Sequence, residues 1–95
     1  MSDARVARRI RIEGRVQGVC FRAWTVEQAI ALGLDGWVRN RHDGSVEAVL
    51  AGPGRRIDEM IARCHGGPSG ARVDRIVVEE TPGILAAGFS QKPTI

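Results

Sequence analysis

The chain has 95 residues, 43% of them hydrophobic, so we expect one compact domain with a small core. Of its 14 basic residues, 13 are arginine, and the net charge of +3 favours anionic ligands. The sequence has no apolar stretch of membrane-spanning length, no signal-peptide pattern and two widely separated cysteines. We therefore expect a cytoplasmic, membrane-free domain over residues 1–95, with two reduced thiols and a frayed segment at residues 1–6.

The first half of the chain predicts a strand, a loop with two glycines, a helix and a second strand. Isoleucines alternate with charged residues from 8 to 13, which is the period of a strand with one buried face. From Phe21 to Leu32 the apolar residues recur at helical spacing, and Gly33 is well placed to end that helix. Residues 36–42 are typical of a second strand, because Trp37 and Val38 favour β structure.

The second half predicts a hairpin, a helix and one or two further strands. Asp43-Gly44 is a strong hairpin signal, and Pro53 suits the first position of a helix. The remaining predicted elements are a strand over 45–51, a helix that ends near Gly66, a strand over 71–80, a connecting loop over 81–88 and a short fifth strand near Phe89.

The predicted order β-α-β-β-α-β defines an α+β, ferredoxin-like sandwich, in which two helices cover one face of a mostly antiparallel sheet. In this arrangement the first and second strands are parallel, and the third lies between them. Their carboxyl ends therefore lie at the same edge of the sheet. We expect the loop after the first strand to face Asn40, near the end of the second.

The segment Gly14-Arg15-Val16-Gln17-Gly18-Val19-Cys20-Phe21-Arg22 joins the first strand to the helix. A loop of this kind can turn several backbone N–H groups toward one point, and a helix start adds unpaired N–H groups and partial positive charge. Arginine is a poor choice at such a helix end unless an anion is bound there. Arg22 also offers a planar fork that fits two phosphate oxygens, so the sequence predicts a phosphate site.

Three ordered blocks of the sequence resemble the acylphosphatases. They are Gly14-Arg15-Val16-Gln17-Gly18-Val19 with Phe21-Arg22; Leu32-Gly33-Leu34, Gly36-Trp37-Val38, Asn40, Asp43-Gly44 and Val46-Glu47; and Gly67-Pro68 with Ala71 and Val73. The resemblance implies a ferredoxin-like fold, hydrolysis of carboxyl-phosphate anhydrides, and catalytic roles for Arg22 and Asn40. Cys20 and His42 stand at positions where this family varies.

Carboxylate is a good leaving group, so the reaction needs charge stabilisation and an aligned water more than a strong base. We expect the phosphate to be held by Arg22 and by backbone N–H groups of the loop, and Asn40 to orient the water. The predicted phosphate-binding residues are Gln17, Gly18, Val19, Cys20, Phe21 and Arg22. We also expect a monomer with no metal and no cofactor, whose substrate is an acyl phosphate and whose product, inorganic phosphate, inhibits it.

Two other functions fit parts of the sequence. An RNA-binding module of the same strand order needs aromatic residues on its central strands, and residues 8–13 and 45–51 have none, so we expect no nucleic-acid partner. A non-catalytic anion sensor would need the loop but would not need Asn40. His42 is predicted to be an exposed bystander, Cys20 a small packing residue or incidental oxidation site, and Cys64 a core residue.

Overall fold

The structure, a computed structural model, describes residues 4–83 and 86–95. Its elements follow the predicted order. They are β1 (Arg5–Arg15), α1 (Phe21–Ala31), β2 (Asp35–Asn40), β3 (Val46–Pro53), α2 (Gly54–Gly66), β4 (Arg72–Glu80) and β5 (Phe89–Gln91). Within these ranges no helix has the length and apolar character that a bilayer crossing requires.

The five strands form one sheet in the order β4-β1-β3-β2-β5. β3 pairs antiparallel with both β1 and β2, so β1 and β2 are parallel and lie one strand apart. β5 pairs in parallel with β2 at the edge. The predicted ferredoxin-like sandwich, including its fifth strand, is therefore confirmed, and the carboxyl ends of β1 and β2 lie at the same edge of the sheet.

The core lies between the two helices and one face of the sheet. Ile10 and Ile12 of β1 are fully buried there, together with Val38 of β2. Cys64 completes the buried face of α2, as the sequence predicted, and burial raises the pKa of its thiol to about 12. Burying side chains of this size contributes about 1.5–3 kcal/mol each, which fixes the register of the strands that carry the site.

In the part of the chain that the structure describes, both helices lie on one face of the sheet, and the other face is covered largely by side chains of the strands themselves. Along β3, Glu47, Val49 and Ala51 point to this open face and are nevertheless almost fully buried. The Glu47 carboxylate accepts hydrogen bonds from Arg39 at 2.7 Å and Arg41 at 3.3 Å. Long arginine side chains can cover a sheet surface while their charged ends stay near water, so this face needs no second layer.

The ends of β1 differ from the prediction. β1 begins at Arg5, so Arg5 and Val6, which were expected to be frayed, pair with Pro53 and Gly52 of a longer β3. Two further contacts hold this end in place: Arg5 forms an ion pair with Asp35 at 2.6 Å, and Val6 packs against the core. Residues 1–3, the rest of the predicted frayed segment, lie outside the described residues.

At the other end of β1, the pairing with β4 shifts between Glu13 and Gly14. Gly14 has φ +132, and a Cβ there would lie 2.2 Å from the Arg72 carbonyl oxygen. Only glycine fits this approach. The resulting bulge ends the regular pairing just before the loop that the sequence identified. In the predicted connecting loop 81–88, the described residues form no helix or strand, and residues 84–85 lie outside the description.

Candidate active site

The loop from Val16 to Cys20, here called the phosphate loop, connects β1 to α1. Gly18 has φ +75 and Cys20 has φ +62, so two of its residues adopt the left-handed conformation. Such residues turn successive N–H groups toward a common concave side. For a non-glycine residue the conformation costs about 1 kcal/mol or more, and strain of this kind is common at functional sites.

The start of α1 has no internal cap. The first intrahelical bond runs from the Trp24 N–H to the Cys20 carbonyl at 3.0 Å. The N–H groups of residues 21–23 precede it and have no carbonyl of their own helix to bond. Among the described residues no side chain caps this helix start, and its first turn carries no acidic residue. The helix end therefore presents free donors and partial positive charge to an anion.

Arg22, the second residue of α1, is half-buried. Arginines elsewhere in the described chain bond a carboxylate, a carbonyl or another partner; only Arg15 and Arg22 make no hydrogen bond or ion pair to a described residue. The Arg22 guanidinium therefore lies beside a positive helix end and contacts no described carboxylate. An external anion bound there would be stabilised by both the guanidinium and the helix end.

Asn40 is the last residue of β2 and pairs with Val46 of β3. It lies on the same side of the strand as the buried Val38, toward α1 rather than toward the open face. Its main-chain carbonyl accepts a hydrogen bond from Ile95 at 3.1 Å. Within residues 4–83 and 86–95 no partner is found for its side-chain amide, which remains available for a ligand or water.

The structure brings the phosphate loop and the end of β2 together through Gln17. Its side-chain amide donates to the Arg41 carbonyl at 2.7 Å and to the Ser45 carbonyl at 2.9 Å. Gln17 was predicted to bind phosphate. Because its side chain is directed to the β2–β3 turn, only its main-chain N–H remains for that role. Nothing in the sequence predicts this bridge, because a glutamine in a loop carries no charge and belongs to no periodic pattern.

Core contacts fix the loop from behind. Phe21 is buried and its ring meets Trp24 edge-on at 5.4 Å between centroids. A Cβ on Gly67 would lie 2.9 Å from the Phe21 ring, and one on Gly70 would lie 3.8 Å from Val19. The turn after α2 thus lies directly against the loop. Rigid support of this kind keeps the N–H groups oriented before a ligand arrives.

The remaining predictions for this region have mixed outcomes. His42 is exposed, as expected, and its N–H donates to the Ile95 carbonyl at 2.7 Å. Cys20 is exposed, so it is not the small packing residue that was one of two alternatives. In the part of the chain that the structure describes, no three His, Cys, Asp or Glu side chains are grouped to hold a metal ion.

The structure is therefore a ferredoxin-like α+β domain, in which the loop after β1 leads into a helix start without a described side-chain cap. The acylphosphatase family model matches residues 8–90 of this chain. An acylphosphatase from Rhizorhabdus wittichii is 69% identical over 91 residues, covering 96% of this chain and 92% of the relative. The chain belongs to the acylphosphatase family.

Solved structures give the same result. An acylphosphatase from Coxiella burnetii superposes with a TM-score of 0.89 at 31% identity, covering 93% of each chain. One from Bacillus subtilis gives a TM-score of 0.87 at 34% identity, covering 92% of this chain and 98% of the other. The reaction is the hydrolysis of an acyl phosphate to a carboxylate and inorganic phosphate.

Proposed function

We propose that Arg22 and the N–H groups of residues 17–22 bind the phosphate group of the acyl phosphate, and that Asn40 orients the attacking water. One observation supports this assignment above the others. In a chain whose arginines are nearly all paired, Arg22 has no described partner and stands at an uncapped helix start. Asn40, the polar side chain at the facing strand end, is likewise without a described partner.

The proposed reaction is a direct displacement at phosphorus. The oxygen of water forms a bond to phosphorus while the bond from phosphorus to the acyl oxygen breaks, and the carboxylate leaves with the electron pair. Negative charge in a loose transition state is spread over the phosphate oxygens. Arg22 and the main-chain donors are fixed around that charge before the reaction begins, which is the arrangement that stabilises a transition state most effectively.

The water needs no strong base in this reaction. A carboxamide does not titrate usefully, so Asn40 acts by hydrogen bonding, holding the water in line with the bond that breaks. The water proton passes to an oxygen of the phosphate itself. Since the positive charge comes from a guanidinium and N–H groups, we expect hydrolysis to continue in a chelator. Activity that is lost in chelator and restored by a divalent metal would contradict this mechanism.

The test for Asn40 separates catalysis from binding. We expect Asn40→Ala to lower kcat by about 100-fold, because the water loses its alignment, while inhibition by inorganic phosphate is nearly unchanged. His42→Ala is a matched control two residues further on, with an exposed side chain, and should retain activity. Equal loss of turnover and of phosphate inhibition in Asn40→Ala would show that Asn40 binds phosphate instead of orienting water.

We propose that the chain is a single domain over 1–95, monomeric and cytoplasmic, that inorganic phosphate inhibits it as product, and that it has no nucleic-acid partner. The adjacent strands β1 and β3 support the last point, since neither carries an aromatic residue for base stacking. Absence of a gel shift with RNA at moderate salt is the expected result.

A further inference from the structure

The side chain of Gln17 connects two parts of the site that the chain itself keeps apart. Gln17 belongs to the phosphate loop after β1, whereas Arg41 and Ser45 belong to the turn after β2, more than twenty residues further on. β1 and β2 do not pair with each other, because β3 lies between them. At this edge of the sheet the link is therefore made by a side chain instead of by strand pairing.

The two carbonyls that Gln17 reaches already define the turn. Arg41 donates its N–H to the Ser45 carbonyl at 2.9 Å, and the Arg41 carbonyl accepts the Gly44 N–H at 3.1 Å. Each carbonyl oxygen has two lone pairs, so each accepts one further hydrogen from the Gln17 amide. Both N–H hydrogens of the Gln17 side-chain amide therefore form hydrogen bonds, and these two bonds fix the orientation of the carboxamide.

Arg41 directly follows Asn40. We infer that Gln17 is a positioning residue, which acts through the Arg41 and Ser45 carbonyls to set the distance and angle between Asn40 and the phosphate loop. The inference rests on the proposed role of Asn40. In this arrangement the main-chain N–H of Gln17 binds the phosphate, and its side chain holds the carboxyl end of β2 in position.

From the opposite side, Glu47 holds the same strand end. Its carboxylate forms ion pairs with Arg39 at 2.7 Å and with Arg41 at 3.3 Å, and these two arginines flank Asn40 in the sequence. Those contacts anchor β2 to β3 across the open face, but they do not reach the phosphate loop. Gln17 alone among the described side-chain hydrogen bonds joins that loop to the turn.

The direct test replaces Gln17 by methionine, which has similar length and no hydrogen to donate. We expect Gln17→Met to lower kcat by about 10- to 100-fold, because a displacement of about 1 Å in a reacting group has effects of that size. The KM and the inhibition constant for inorganic phosphate should change little, since the loop N–H groups remain. Gln91→Met, an exposed glutamine in β5, is the matched control and should retain activity.

A double-mutant cycle distinguishes positioning from general stabilisation. If Gln17 acts through Asn40, then Gln17→Met in the Asn40→Ala background lowers kcat no further. Losses that multiply, or a phosphate inhibition constant that rises in step with the fall of kcat, would overturn the inference. If Asn40→Ala itself has no effect, the proposed function fails; if only Gln17→Met has none, the positioning role alone fails.

A second measurement uses the unaltered protein and does not depend on a variant's folding. Nuclear magnetic resonance detects scalar coupling across a hydrogen bond, here from the Gln17 side-chain nitrogen to the carbonyl carbons of Arg41 and Ser45. We expect both couplings, together with slowed exchange of the two amide hydrogens. A Gln17 amide that exchanges at the rate of an exposed glutamine would refute the bridge in solution.

Discussion

Removing the Arg22 side chain should lower activity by orders of magnitude without weakening the fold. In most positions an arginine-to-alanine change loses a partner as well as a charge. Arg22 has no such partner in the described chain, so Arg22→Ala leaves no carboxylate or carbonyl unsatisfied. It also removes a positive charge from the positive end of α1.

The expected loss of activity follows from the contacts that Arg22 can make. A planar guanidinium forms two parallel hydrogen bonds to phosphate, each contributing about 1.5–3 kcal/mol. Together they amount to about 3–6 kcal/mol, which lowers kcat/KM by about 10²- to 10⁴-fold. Arg22→Lys keeps the charge but loses the fork, and we expect it to fall between the parent and the alanine variant.

The expected change in stability has the opposite sign. Relief of the unfavourable charge at the helix start is worth about 0.3–1 kcal/mol, so the Tm of Arg22→Ala should be unchanged or a few degrees higher. Arg56→Ala is the matched control. Arg56 donates to the Leu32 carbonyl at 3.0 Å and helps to end α1, so its removal should cost about 1 kcal/mol while activity is retained.

Two assays on the same samples measure the predicted loss of activity and the predicted change in Tm. Hydrolysis of a synthetic aromatic acyl phosphate is followed by its ultraviolet absorbance, and unfolding is followed by circular dichroism on heating. A kcat/KM of Arg22→Ala within about tenfold of the parent would refute the proposed role of Arg22. The expected change in stability is refuted if the variant loses stability to the same degree as Arg56→Ala, because Arg22 would then have a structural partner.

Three further predictions concern stability and reactivity. In native protein a thiol reagent should modify only the exposed Cys20. Burial raises the pKa of Cys64 to about 12, so Cys64 should react only on unfolding. Rapid modification of both thiols in the native protein would contradict this prediction. The Gly88 N–H and the Arg5 guanidinium hold the pKa of Asp35 below its ordinary value of 3.8. Asp35 thus stabilises the fold above that value and loses its contribution as pH falls through its lowered pKa. Asp35→Asn should therefore reduce Tm at pH 7, and the difference from the parent should shrink as the pH falls through that lowered pKa. Glu47→Gln should cost about 2–3 kcal/mol in urea unfolding, because it leaves its arginine partners without a buried carboxylate; a cost below about 1 kcal/mol would show that solvent serves them equally well.

The sequence was sufficient for the fold because its hydrophobic pattern is clear. Ile10 and Ile12 alternate with arginines and lie fully buried, and the helical spacing from Phe21 predicted α1 to within one residue. The hairpin at Asp43-Gly44 fixed the order of β2 and β3. The order of elements then placed the phosphate loop and Asn40 at one edge without any measured distance.

Contacts between distant residues could not be predicted in the same way. The bridge from Gln17 depends on where the Arg41 and Ser45 carbonyls lie in three dimensions. The burial of Glu47 depends on arginines from two other strands covering it, and a glutamate in a strand is otherwise expected to be exposed. The start of β1 at Arg5 depends on the length of β3, its partner.

The insertion of β3 between β1 and β2 has a consequence for how the molecule is made. The loop that follows β1 and the strand end that carries Asn40 acquire their mutual placement only after the intervening strand has joined both neighbours. Recovery of turnover after dilution from denaturant should therefore be among the last signals to return, later than helical ellipticity, and the enzyme's own reaction becomes a reporter of complete assembly.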